Sequence, residues 1–201
     1  MAGLTKRIGL FGGSFDPVHN AHLALGRQAL AELQLDELRW VPVGQAWQKA
    51  RVLTPAAQRE AMLRLAIDGE PGFVLERCEL QRPGPSYTLD TVRELQAEAP
   101  DARWFLVIGQ DQYAGLHTWV GFEQLLARVT LAVARRPDAN SAVDARVRAA
   151  PHVALALPPM AVSATDLRRR VAAGMDISAL VPPAVALYIH QHRLYRGSAG
   201  S

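Results

Sequence analysis

Six short apolar runs recur along the chain, at Arg7–Phe11, Leu38–Val43, Phe73–Leu80, Trp104–Ile108, Leu131–Ala134 and Val153–Leu157, each of a length that suits a buried strand. Helical patterns lie between most of them. Leu23, Leu30 and Leu33, with Ala24 and Ala31, keep the spacing of one helix face. Thr54-Pro55 opens "AAQREAMLRLAI" with a cap followed by proline at the first helical position, and another helix is expected after "SYTLDT", with Ser86 or Thr88 near its start. Strands alternating with helices at this spacing predict an α/β, doubly wound fold: a mainly parallel sheet with helices on both faces and a small helical C-terminal part. Arg136–Pro151 is weakly patterned and reads as a surface connection, and 197–201 as a flexible tail after a single domain over 1–196.

In such sheets ligands bind beyond the carboxyl ends of the strands, where helix N-termini present free N–H groups and a positive dipole end. The stretch "GGSFDPVHNAH" follows the first strand at that kind of place. Gly12 and Gly13 allow a tight turn and a close approach to a ligand, Pro17 is placed to start a helix, and His19 and His22, at i and i+3, share a face. Two imidazoles and a set of amides facing one point suit a phosphate. The competing reading is a Gly-Pro turn with two capping histidines. The stretch fits neither the P-loop nor the G-x-G-x-x-G fingerprint, and a zinc site would want i, i+4 spacing or a third ligand.

A second anion site is read in "PPMAVSATDLRRRVAAG", where a helix opens near Ser163 or Thr165 with Arg168 one turn in. A solvated basic face is the alternative for one or two of its arginines. "FLVIGQDQYAGLHTW" ends a strand at Gly109 with Asp111 two residues on, a position suited to a ribose or base, and Trp119 reads either as a stacking ring or as core. Lys49, on the loop after the second strand, is either a phosphate contact or a solvated lysine.

Composition narrows the partners. With 49% apolar residues in 201, the chain can bury a core without covalent staples, and its single cysteine excludes a disulfide framework and a cysteine-rich zinc site. No run approaches the roughly 18 residues of a membrane span and no signal peptide is read at the N-terminus, so a cytoplasmic protein is expected. A net charge of +3, from 22 basic and 19 acidic residues, suits a small phosphorylated ligand and does not require nucleic acid.

Taken together these stretches resemble the bacterial nicotinate mononucleotide adenylyltransferases, members of the nucleotidyltransferase superfamily with the H-x-G-H signature, from Ile8 to about Tyr195. The family's G-G-[ST]-F-D-P-x-H-x-G-H is similar to "GGSFDPVHNAH", S-Y-T-x-D-T to "SYTLDT", I-G-x-D with a later tryptophan to "IGQDQYAGLHTW", and S-S-T-x-[IL]-R to "SATDLR". The resemblance implies a Rossmann-like domain in which ATP and nicotinate mononucleotide give nicotinate adenine dinucleotide and pyrophosphate, with Mg²⁺ carried on the ATP phosphates. Small molecules are then the partners, without nucleic acid or membrane, and a homodimer is compatible. By position, the resemblance implies that His19 and His22 contact the ATP phosphates. Ser163, Thr165 and Arg168 hold the β- and γ-phosphates, Gly109 and Asp111 meet the adenosine, and Gly12, Gly13, Ser14 and Phe15 line the groove. Ser14, Lys49, Tyr87, Thr88 and Trp119 fall on the nicotinate-nucleotide side, with Thr88 hydrogen-bonding the carboxylate and Trp119 stacking on the ring.

Three positions depart from the family pattern: Ala21 replaces the glycine between the histidines, Gln48 the histidine before Lys49, and Ala164 the second serine of S-S-T. Two other readings remain: a sister transferase acting on nicotinamide mononucleotide or another phosphorylated acceptor, and a non-catalytic nucleotide- or RNA-binding module on the same fold.

Overall fold

The computed structural model describes residues 5–45, 52–135, 143–156 and 160–196. Its sheet consists of β1 (Arg7–Gly13), β2 (Glu37–Pro42), β3 (Phe73–Leu75), β4 (Arg103–Gly109), β5 (Thr130–Arg135) and β6 (His152–Ala156), in the spatial order β3-β2-β1-β4-β5-β6. Every adjacent pair is parallel, as the alternating pattern requires. Strand order reverses between β1 and β4, which opens a crevice beyond their carboxyl ends.

Both faces of the sheet are covered, because successive residues of a strand point to opposite sides. In β4, Phe105 and Val107 join a core with Trp40, Met62 and Leu63, while Trp104, Leu106 and Ile108 join a second with Val92, Leu95 and Leu125. Helices α1 (Asn20–Glu32) and α2 (Ala56–Ile67) supply the first core, and α4 (Thr88–Glu98) and α6 (Phe122–Leu126) the second. The C-terminal helices α8 (Ala164–Ala172) and α9 (Pro183–Gln191) contribute Leu167, Val185 and Ile189 to the first core, so the chain's end is packed onto the sheet's helical layer.

Four local expectations are corrected. The run Phe73–Leu80 is a strand only to Leu75; the Glu76 carboxylate accepts the amides of Arg77 and Cys78 at 2.8 and 3.0 Å, which turns the chain into the short helix α3 (Cys78–Gln81). The connection Arg136–Pro151 contains α7 (Ala145–Ala149), whose first turn is capped by Asp144 accepting from the Arg146 amide at 2.9 Å; residues 136–142 lie outside the described part. Pro55 stands one residue ahead of α2, as its N-cap. Pro17 does not open α1: it follows a cis Asp16-Pro17 peptide bond, and His19 is the N-cap.

Candidate active site

One cleft of about 1170 Å³ lies over the carboxyl ends of β1 and β4. Its floor is Leu10, Val41, Leu106 and Ile108, and its rim is made by the loops and helix starts that follow the strands. Gly12, Gly13, Ser14, Phe15, His19, His22, Tyr87, Thr88, Gly109, Asp111, Trp119 and Ser163 all line it, so stretches more than a hundred residues apart meet in one place. That volume exceeds the roughly 300–1,000 Å³ typical of single-ligand sites and suits two substrates side by side.

The histidine pair is built by the start of α1. The His19 amide donates to His22 Nδ1 at 3.2 Å, and the two rings stack with centroids 3.6 Å apart and planes 19° from parallel. Because His22 Nδ1 accepts, the neutral ring carries its proton on Nε2, which makes that nitrogen a donor. Phe15 wedges the other side, edge-on to His22 at 5.2 Å, and is held with φ at +46° against Phe11 and Trp40. Burial depresses the His19 pKa to about 4, so its ring is neutral at pH 7. Its Nδ1 is buried without a hydrogen-bond partner among the described residues.

The amides of α1 do less than expected. The Asn20 amide donates to the Leu180 carbonyl at 3.0 Å and the His22 amide to the His19 carbonyl at 2.9 Å, so the first turn is largely satisfied within the protein. The start of helix α8 also forms part of the cleft rim, through Ser163, Ala164 and Asp166. Ser163 is its N-cap and accepts the Asp166 amide on Oγ at 3.1 Å, which leaves the Ser163 hydroxyl hydrogen and the first-turn amide of Ala164, both residues that line the cleft, at the positive end of the helix dipole.

The arginines divide their work. Arg168 donates to the Asp16 carbonyl at 2.7 Å and to Thr165 Oγ1 at 3.0 Å, joining the two halves of the site from behind; neither Arg168 nor Thr165 lines the cleft. Arg169 does line it, beside Asp166, to which it donates at 2.9 Å. At the other end, Gly109 caps the short helix α5 (Gln110–Gly115) and its amide donates to Gln112 Oε1 at 3.1 Å, with Asp111 exposed in the first turn. Trp119 is half-buried against the second core, with part of its surface in the cleft. Ala21 lines the cleft and packs on the first core, Ala164 is the first residue of α8, and Gln48 and Lys49 lie outside the described residues.

Several groups escaped sequence reasoning. Glu79 is buried in the cleft wall, accepts from the Thr91 hydroxyl at 2.8 Å, and has its pKa raised by burial. Arg59 is fully buried and donates to the carbonyls of Thr54, Ser14 and Gly44 at 2.8, 3.1 and 3.3 Å, tying together the loops after β1 and β2. A signal for Arg59 existed: with Met62, Leu63 and Ala66 it falls at i, i+3, i+4 and i+7, a charge on an apolar face.

An all-parallel sheet with a cleft at its switch point defines the class of doubly wound α/β proteins that bind ligands beyond the carboxyl ends of their strands. Residues 10–170 match the family described as cytidylyltransferase-like, and the chain belongs to that family. It is 50% identical to the probable nicotinate-nucleotide adenylyltransferase of Methylibium petroleiphilum, over 97% of this chain and 95% of that one. It is 47% identical to the protein of the same name from Bordetella petrii, over 95% of this chain and all of that one. Among solved structures, Plasmodium falciparum nicotinic acid mononucleotide adenylyltransferase complexed with APC shares the fold at a TM-score of 0.78 and 19% identity, covering 94% of this chain and 97% of that one. No helix among the described residues is long and apolar enough to cross a membrane.

Proposed function

We propose that this protein transfers the adenylyl group of ATP to nicotinate mononucleotide, forming nicotinate adenine dinucleotide and releasing pyrophosphate. The observation that carries the reading is the single cleft in which the His19–His22 pair, the α8 N-terminus and the Thr88–Trp119 wall meet. The close relatives bear the name of that activity. A phosphate oxygen of the mononucleotide attacks the α-phosphorus of ATP in line; the new P–O bond forms as the bond to the β-phosphate oxygen breaks, and that oxygen leaves with the electron pair. No protein nucleophile takes part, so the residues act by positioning and by stabilising charge.

In this reading His22 donates from Nε2 to the phosphate oxygens, where charge builds in the transition state. Ser163 and the α8 amides hold the β- and γ-phosphates, with Arg168 fixing Thr165 behind them and Lys49 adding charge. Asp111 and Gly109 meet the adenosine, and Gly12, Gly13, Ser14 and Phe15 shape the groove. Thr88 and Tyr87, at the start of α4, receive the nicotinate carboxylate with the helix dipole behind them, and Trp119 stacks on the ring. A divalent ion would enter on the nucleotide, as Mg²⁺–ATP, and would offset the charge of its phosphates.

The test is pyrophosphate release from ATP with nicotinate mononucleotide, compared with nicotinamide mononucleotide. A clear advantage for the acid in kcat/KM is expected. Equal values would remove the assigned role of Thr88, and nucleotide binding without pyrophosphate release would favour the non-catalytic module.

A further inference from the structure

Behind the G-G-S-F-D loop lies a buried polar knot centred on Asp16, which is 1% exposed although it is a carboxylate. Tyr195, in the segment after α9 and 179 positions away in sequence, donates its hydroxyl to Asp16 Oδ1 at 2.6 Å. The Thr54 amide donates to Oδ2 at 3.2 Å, and Arg168 holds the Asp16 carbonyl at 2.7 Å. Asp16 therefore receives contacts from the loop leading to α2, from α8 and from the C-terminal segment at once. It also lines the cleft and stands three residues before His19.

Tyr195 is held for this contact. Its backbone sits at φ +59°, in the left-handed region that a bulky residue adopts only when its surroundings impose it. Its ring packs on the first core, and its hydroxyl also lies 3.9 Å from Met62 Sδ. Burial, reinforced by the hydrogen bond to Asp16 and by that residue's charge, pushes the phenol's pKa far up, so it stays a donor throughout the working pH range.

We propose that Tyr195 is a positioning residue for the reaction, acting through Asp16 to hold the loop that aims His19 and His22. A short charge-assisted bond on one carboxylate oxygen fixes the carboxylate plane, and the other oxygen then meets the Thr54 amide. The backbone of residue 16, gripped by Arg168, is the entry to the α1 N-terminus. Losing the Tyr195 hydroxyl frees the carboxylate to turn and lets the histidine pair wander from its productive geometry, a loss that appears in rate more than in substrate affinity.

The proposal rests on the adenylyl-transfer reading for its kinetic arm, so a second arm is independent of it. Tyr195→Phe is expected to lower kcat about tenfold with KM for ATP within about threefold. Tyr188→Phe, which removes a phenol hydroxyl from α9, is expected to leave kcat unchanged. Asp16→Asn leaves one oxygen for two donors, and its effect on kcat should be non-additive with that of Tyr195→Phe. In the independent arm, Tyr195→Phe should shift the ring ¹H–¹³C resonances of His19 and His22 in the ligand-free protein, and Tyr188→Phe should not. An unchanged kcat, additive effects, or unmoved histidine resonances would overturn the proposal. A wild-type protein that releases no pyrophosphate would refute the functional reading alone, and the resonance arm would still decide the role of Tyr195.

Discussion

Arg168 donates to the main-chain carbonyl of Asp16 at 2.7 Å, across 152 residues of sequence, and so ties the C-terminal helix α8 to the loop that carries the histidines. The same guanidinium holds Thr165 Oγ1 at 3.0 Å, a two-point grip that a lysine ammonium on a flexible stem cannot reproduce. Hydrogen bonds from a charged group are worth about 1.5–3 kcal/mol, so Arg168→Lys is expected to lower kcat/KM for ATP roughly ten- to a hundredfold. Steady-state kinetics at varied ATP check this, and a change under threefold would show that the grip is dispensable.

His22→Ala removes the Nε2 donor and the acceptor for the His19 amide together. The expected outcome is a fall in kcat of about a hundredfold or more with a smaller change in KM for ATP, because the interaction strengthens as charge develops. A variant that lost only affinity would make His22 a binding residue. Single-turnover measurement at saturating ATP separates the two.

The parallel sheet was legible because strands buried on both faces write continuous apolar runs, and five of the six runs end within about two residues of the observed strands. The sixth, Phe73–Leu80, failed where Glu76 folds back on its own backbone, a local hydrogen bond that no hydrophobic pattern encodes. Many residues lining the cleft were legible because glycine, histidine and capping serine carry chemistry in their spacing, whereas Glu79 in its wall carried no such signal. The contacts behind it were not: Tyr195 and Thr54 meet the Asp16 carboxylate only through the folded chain, and nothing in their separate neighbourhoods announces the meeting.

Acid should weaken the protein through His19. Its pKa is depressed to about 4 in the folded state against an ordinary value near 6.5, so the unfolded chain binds the extra proton between those values. Stability from this group is fully present above about pH 6.5 and is lost as pH falls towards 4, by about 3 kcal/mol in all. Urea denaturation at a series of pH values should show this limb, and His19→Asn should flatten it. An equally steep limb in the variant would assign the acid sensitivity elsewhere.

Two glycines at the site should separate stability from activity. A Cβ built on Gly44 would stand 2.0 Å from the Glu79 carbonyl oxygen, a main-chain atom, so Gly44→Ala must push apart the loop after β2 and helix α3. A loss of about 1–3 kcal/mol is expected, with nucleotide handling damaged as a consequence. Gly12 differs: its nearest obstacle is the Val41 carbonyl oxygen at 4.0 Å, ordinary contact, yet it lines the cleft where the groove must admit a ligand. Gly12→Ala should therefore melt within about 2 °C of wild type while raising KM for ATP several-fold. Thermal melts and ATP kinetics on the pair test the assignment, and a Gly12→Ala protein with wild-type KM would place the nucleotide away from the end of β1.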